Sequence, residues 1–135
     1  MSEPLWLSKA FILAVHDMLL SEHGGRSGIR DDGLLESALS KPLNLFGYGK
    51  PTLFHLAASY AFGIIKNHPF VDGNKRTGFV AGATFLDSNG LELTASEAEA
   101  TVTTLGLAAG EVTQADYAEW LKANSKPISS RRKSK

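Results

Sequence analysis

Cysteine is absent from all 135 residues. That excludes disulfides, a thiolate metal site and a cysteine nucleophile, and it fits a reducing compartment. Long apolar runs are missing too, and nothing approaches the ~20 residues of a membrane span. The first seven residues contain Glu3 and no basic side chain, so they do not read as a secretory signal. Histidines are few, and His16, His23 and His55 match no zinc spacing such as His-Glu-x-x-His. An excess of either charge is also lacking, since 14 basic side chains balance 14 acidic ones. The balance is uneven along the chain, however. Five basic residues and no acid fall within 126–135, leaving nine basic against 14 acidic side chains in residues 1–125. Such a body repels nucleic acid rather than attracting it. The expectation is a cytoplasmic, soluble protein with no membrane contact and no nucleic-acid partner.

What is present suits an ordinary globular domain. Hydrophobic residues make up 43% and charged residues 21%, and a chain of this length buries enough surface to need no staples. Helical signals run nearly throughout. Ser8 is placed to cap a helix carrying Phe11, Ile12, Val15 and Leu19, which Gly24-Gly25 ends. Asp31 or Asp32 then caps a short helix that Pro42 should close, and residues 41–51 read as a loop bounded by Gly and Pro. Thr52 caps a third helix to about Asn67 that is apolar almost all round, as befits the middle of a bundle. A fourth runs from about Asn74 to Asn89, with Gly78 and Gly82 permitting close approach to a neighbour. Ser96 and Thr113 cap two more, the last docking through Tyr117, Trp120 and Leu121. The tail from 126, including Arg131, Arg132 and Lys133, lacks periodicity and reads as a disordered, solvated segment. The fold expected is all-α, one bundle of about six helices over residues 1–125.

One stretch, HPFVDGNKRTGF at 68–79, resists a purely structural account. Pro69 stops the third helix at His68, and Gly73-Asn74 makes a tight turn into the next. Lys75 and Arg76 then sit in a helix's first turn, where the N–H groups already concentrate positive charge. Two cations there are unfavourable unless an anion offsets them, and with Gly73, Asn74 and the backbone donors they describe a phosphate site. Asp72, beside those phosphates, suits a Mg²⁺ ligand, because Mg²⁺ combines one or two carboxylates with substrate phosphates. His68 carries an imidazole, the side chain suited to take a proton from an attacking hydroxyl. Taken singly, each feature has an ordinary explanation as a helix-end histidine, an Asp-Gly turn or a solvated face. Arg26 and Arg30, beside Asp31 and Asp32, read as partners in local ion pairs.

The run HPFVDGNKR resembles the signature of the Fic/Doc family, His-x-Phe-x-(Asp/Glu/Asn)-(Gly/Ala)-Asn-(Gly/Lys)-Arg. Residues 23–42, helix 52–67 and FLDSNG at 85–90 are similar to the Doc (death-on-curing) branch. The resemblance implies an all-helical bundle, His68 as catalytic base, Phe70 as a buried anchor and Asp72 as the Mg²⁺ ligand. It implies that Gly73 and Asn74, the latter also through its side chain, bind nucleotide phosphates together with Lys75 and Arg76. It also implies that the 41–51 loop acts as a flap docking the target. Lys75 replaces the glycine, and Phe79 the second arginine, that are usual in AMP-transferring members. Those two departures favour phosphate transfer from ATP to a Thr or Ser hydroxyl of a translation factor, elongation factor Tu in the Doc branch. Gly73 is the choice of the nucleotidyltransferases, so AMP transfer is the alternative. No Glu is followed by Gly or Asn, so the family's self-restraining helix motif is absent. Restraint is then expected in trans, from the antitoxin of a type II toxin–antitoxin pair. Two other classes stand against this reading: a helical nucleic-acid binder resting on the basic tail, and a catalytically dead interaction domain.

Overall fold

The computed structural model describes residues 2–128. Among them are six helices: α1 (Lys9–His23), α2 (Asp32–Tyr48), α3 (Leu53–Asn67), α4 (Asn74–Ser88), α5 (Glu97–Ala109) and α6 (Gln114–Ala123). A small antiparallel sheet of β1 (Leu91–Leu93) and β2 (Ser125–Pro127) completes the set. The expected all-α bundle is what forms. No helix among the described residues is long and apolar enough to cross a membrane.

The helix starts follow from side-chain caps. Ser8, Asp31, Thr52, Ser96 and Thr113 each accept a hydrogen bond from the backbone N–H three residues on, satisfying a donor the helix leaves unpaired. At Thr52 the cap is reciprocal, because His55 Nδ1 accepts the Thr52 N–H at 3.1 Å. α3 is the hub. Leu56, Ala57, Ala58, Tyr60, Ala61 and Ile64 are all buried, and the helix packs against α2, α4, α5 and α6. Along the α3–α4 contact the backbones come very close. A Cβ at Gly78 would lie 2.9 Å from the Ala61 carbonyl oxygen, and one at Gly82 would lie 3.0 Å from that of Ala57. Trp6, from the segment before α1, closes one end by packing on Phe46 and Phe85.

Three expectations need correction. Pro42 does not close α2; the helix continues to Tyr48, so the loop expected over 41–51 is confined to the stretch after it. Pro42 cannot donate to the Ala38 carbonyl, but that oxygen is tucked against Gly63 of α3, where a Cβ would sit 3.3 Å from it. Burial of Leu39, Pro42 and the flanking Leu45 and Phe46 against the core outweighs the missing bond. The β1–β2 pair was not expected, because three residues a side are too few to show alternation. The third correction concerns the tail, since Lys126 and Pro127 lie in β2 opposite Glu92 and Leu91. The Ile128 N–H donates to the Gly90 carbonyl at 2.9 Å. The remainder of the expected tail, 129–135, lies outside the described residues.

The α3–α4 approach makes two glycines behave oppositely. Alanine favours a helix over glycine by about 1 kcal/mol, and at Gly47, in α2, an added Cβ would meet nothing within 4 Å. Gly47→Ala should therefore raise the urea midpoint. Gly78→Ala should lower it despite the better propensity, since overpacking costs about 1–3 kcal/mol.

Candidate active site

The connection from α3 to α4 is built by distortion and then clamped. His68 closes α3 in the left-handed region, at φ 52° and ψ 54°, the one non-glycine residue with positive φ among those described. Its N–H still reaches the Ile64 carbonyl at 3.0 Å. A side chain in that conformation costs about 1–2 kcal/mol, and Pro69 already bars another helical turn. Arg30 offsets the cost: its Nε donates to the His68 carbonyl at 2.7 Å and its Nη2 to that of Asn67 at 2.9 Å. The ion pairs expected of Arg30 with Asp31 or Asp32 do not form, because this guanidinium serves the helix-end carbonyls. Asp32 pairs instead with Lys9 at 2.8 Å.

The rest of the turn hangs on the extended segment 28–31. Pro69 O accepts the N–H groups of Arg30 and Asp31, Phe70 bridges antiparallel to Ile29, and the Val71 N–H donates to Gly28 O. Fully buried Phe70 lies under His16, ring centroids 3.8 Å apart and planes 9° from parallel. His16 Nε2 donates to the Asp72 carbonyl at 2.8 Å, which fixes its proton on that nitrogen. Asn74 closes the turn on itself. Its Oδ1 accepts the Phe70 N–H at 3.0 Å, and its Nδ2 donates to the Phe70 carbonyl at 2.9 Å. Asn74 is 3% exposed, so its side chain is spent on the loop. Its amide is thus engaged within the turn.

Gly73, at φ 79°, starts α4 without a side-chain cap. The first N–H groups of α4 are thus left to a ligand or to water. Asp72 stands beside them, exposed, with its carboxylate accepting the Arg26 N–H at 3.2 Å and the Gly73 N–H at 2.9 Å. The Arg26 N–H first, then that of Gly73, hold its pKa below the usual 3.8, with the charges of Arg26 and Arg76 adding to the effect. Arg26 therefore acts on Asp72 rather than on Asp31. Gly25 permits the approach: at φ 123°, a Cβ there would lie 3.0 Å from Asp72 Oδ2.

These groups open on one cleft of about 890 Å³, within the roughly 300–1,000 Å³ usual for small-molecule sites. His68, Asp72, Gly73, Asn74, Lys75 and Arg76 all line it. Among the described residues neither Lys75 nor Arg76 forms a salt bridge. Farther along α4 the wall turns apolar, through Phe79, Val80 and Ala83, and faces Ala100, Thr101, Thr104 and Leu105 of α5. His16 and Arg30 escaped the sequence reading as site-builders. The signal for His16 was its place on the buried stripe of α1, with Ile12, Val15 and Leu19; for Arg30 there was none, because its targets are carbonyls 37 and 38 positions away.

The model of the Fic/DOC family matches residues 6–86, which include the whole turn. The chain belongs to the Fic/DOC family. It is 32% identical over 117 residues to a protein named "Protein kinase doc" from Escherichia phage P1, covering 86% of this chain and 92% of that one. Over 74 residues it is 42% identical to "Toxin Doc" of Mycolicibacterium smegmatis, covering 53% of this chain and 57% of that one. Within the family, the chain thus aligns with the Doc branch.

Two outcomes test this construction. Asn74→Ala leaves the Phe70 N–H and carbonyl buried without partners, at about 1–3 kcal/mol each. It should lower stability by at least about 2 kcal/mol and speed amide exchange at Phe70. The Asp72 carboxyl should titrate below 3.8 by carbon-detected NMR. Because the folded value is depressed, its contribution is present above the unfolded pKa and fades as pH falls through the folded one. The stability difference between wild type and Asp72→Asn should shrink over that acid range and be constant at neutral pH.

Proposed function

We propose that the protein is a Doc-type toxin that transfers the γ-phosphate of ATP to a Thr or Ser hydroxyl of a translation factor, elongation factor Tu being the expected target. The observation that carries the reading is the division of the cleft into a cationic end and an apolar end. Lys75, Arg76 and the uncapped N–H groups of α4 offer charge and donors to a phosphate chain. Beyond them Phe79, Val80 and Ala83 can pack a base but cannot stabilise another phosphate. A nucleotide laid with its nucleoside on that wall brings its terminal phosphate toward His68. This favours phosphoryl over nucleotidyl transfer. The names of the two relatives, a kinase and a toxin, agree with it. Gly73 counts for less toward the alternative, since its positive φ is by itself a reason for glycine.

In this reading His68 accepts the proton of the target hydroxyl as that oxygen bonds to the γ-phosphorus. The bond from the γ-phosphorus to the bridging oxygen breaks, and ADP leaves. Lys75, Arg76 and the α4 backbone donors hold the equatorial oxygens, so that catalysis is positioning plus charge stabilisation. The Asp72 carboxylate fits Mg²⁺: it is exposed, kept ionised, and has lone pairs beyond the two that its backbone donors occupy. Bound there, Mg²⁺ would neutralise phosphate charge. An antitoxin supplies the restraint in trans, in keeping with the absence of any Glu-Gly or Glu-Asn pair in the chain.

Incubation with elongation factor Tu and ATP labelled at either the α or the γ position decides the chemistry. Label should move only from the γ position, and mass spectrometry should find a phosphate adduct. His68→Ala should slow transfer about 10²–10⁴-fold with little change in nucleotide affinity. Label transferred from the α position would establish nucleotidylation instead.

A further inference from the structure

Two threonines, Thr101 and Thr104, line the cleft from α5, and their hydroxyl protons are used differently. Thr101 Oγ1 donates to the Glu97 carbonyl one turn back, at 2.9 Å. Thr104 makes no such bond. Its Oγ1 lies 2.9 Å from the Tyr117 hydroxyl of α6, its one hydrogen-bond partner among the described residues. Both members of the pair are buried, Thr104 at 5% exposure and Tyr117 at 1%.

Each hydroxyl carries a single proton, so a pair closed on itself leaves one over, and burial decides which. If Thr104 donated, the Tyr117 proton would be stranded in the core without an acceptor, at the cost of an unmade hydrogen bond. If Tyr117 donates, that cost is avoided. Burial also holds the Tyr117 pKa above its ordinary 10.0, so the phenol keeps its proton. The proton left over is then that of Thr104, the member of the pair that lines the cleft.

Its place along the cleft points to the acceptor. Leu105, the next residue, also lines the cleft and shares a second, shallow groove with Lys75. This level of α5 therefore lies at the cationic end, across from the first turn of α4 and short of the apolar stretch Phe79, Val80 and Ala83. With a base on that stretch, the part of a nucleotide at the Thr104 level is the phosphate chain. Phosphate oxygens are also its strongest acceptors, because they are charged.

We propose that Thr104, oriented by Tyr117, donates a hydrogen bond to the phosphate chain of the bound nucleotide, completing the phosphate site from the wall opposite Lys75 and Arg76. The inference rests on the reading of the cleft as a nucleotide site. A mere tie between α5 and α6 would weaken folding when cut, without regard to which ligand is present.

The test measures binding of the magnesium complexes of ATP and of tripolyphosphate, which has no nucleoside, by calorimetry on the full chain. The variants are Thr104→Ser, Thr104→Val, and Thr104→Val combined with Tyr117→Phe. The double variant replaces both partners by apolar groups, so no buried hydroxyl is stranded and folding is kept. Both variants with valine should bind both ligands about tenfold more weakly, while Thr104→Ser should bind them as wild type does. Unchanged ATP binding in the double variant would overturn the proposal. A loss for ATP with none for tripolyphosphate would assign Thr104 to the nucleoside and reject the phosphate. A loss in Thr104→Ser as large as in Thr104→Val would show that shape and not the hydroxyl matters, and would reject it too. Wild type that binds ATP but not tripolyphosphate would also overturn it. Failure of wild type to bind either would bring down the proposed function itself, and this inference with it.

Discussion

The two hydrogen bonds between the Asn74 side chain and the Phe70 backbone hold the site together. They close a five-residue turn that would otherwise leave two buried polar groups unpaired, and they set where α4 begins. From that start follow the uncapped N–H groups, the positions of Lys75 and Arg76, and the placing of Asp72 beside them. The turn is held from three further sides: by Arg30 on the helix-end carbonyls, by the 28–31 segment along Pro69 to Val71, and by His16 against the Phe70 ring. Each contact comes from an element distant in sequence. The active geometry is therefore a property of the folded bundle and not of the nine-residue motif alone.

This arrangement separates groups that carry chemistry from groups that carry position. His68, Asp72, Lys75 and Arg76 are exposed on the cleft, whereas Phe70 and Asn74 are buried. The strain of the left-handed His68 is local and is offset by charge-assisted bonds from a single guanidinium. Such a scheme lets the exposed side chains vary without loss of the turn. Lys75 belongs to the exposed set, and Phe79 to the cleft wall.

Much of this was legible in the residues. Five helix caps, the all-round apolar character of α3 and the small residues on α4 are local signals with local causes, and the helices formed where those signals lay. The candidate site was legible because Lys75 and Arg76 sit at the wrong end of a helix for cations. What escaped was set by partners far along the chain. Pro42 looks like a helix stop until Gly63 is seen to receive the Ala38 carbonyl. That the Asn74 amide closes on the Phe70 backbone was not readable, and Arg30 looks like an ion-pair partner until two carbonyls claim it. Three-residue strands carry too little pattern to be read, so the β1–β2 pair had to come from the fold.

The same cations that made the site readable also bear on its energetics. Lys75 and Arg76 add positive charge to a helix end that already concentrates it, with no anion among the described residues bonded to offset them. The protein thus carries a local penalty that an anion placed there would offset. Any anion that binds only the folded state stabilises it further by mass action. Asp72 moderates the charge without cancelling it, because its carboxylate is turned toward the Arg26 and Gly73 N–H groups instead of bridging to either cation. The pocket keeps its positive charge because the protein does not satisfy that charge internally.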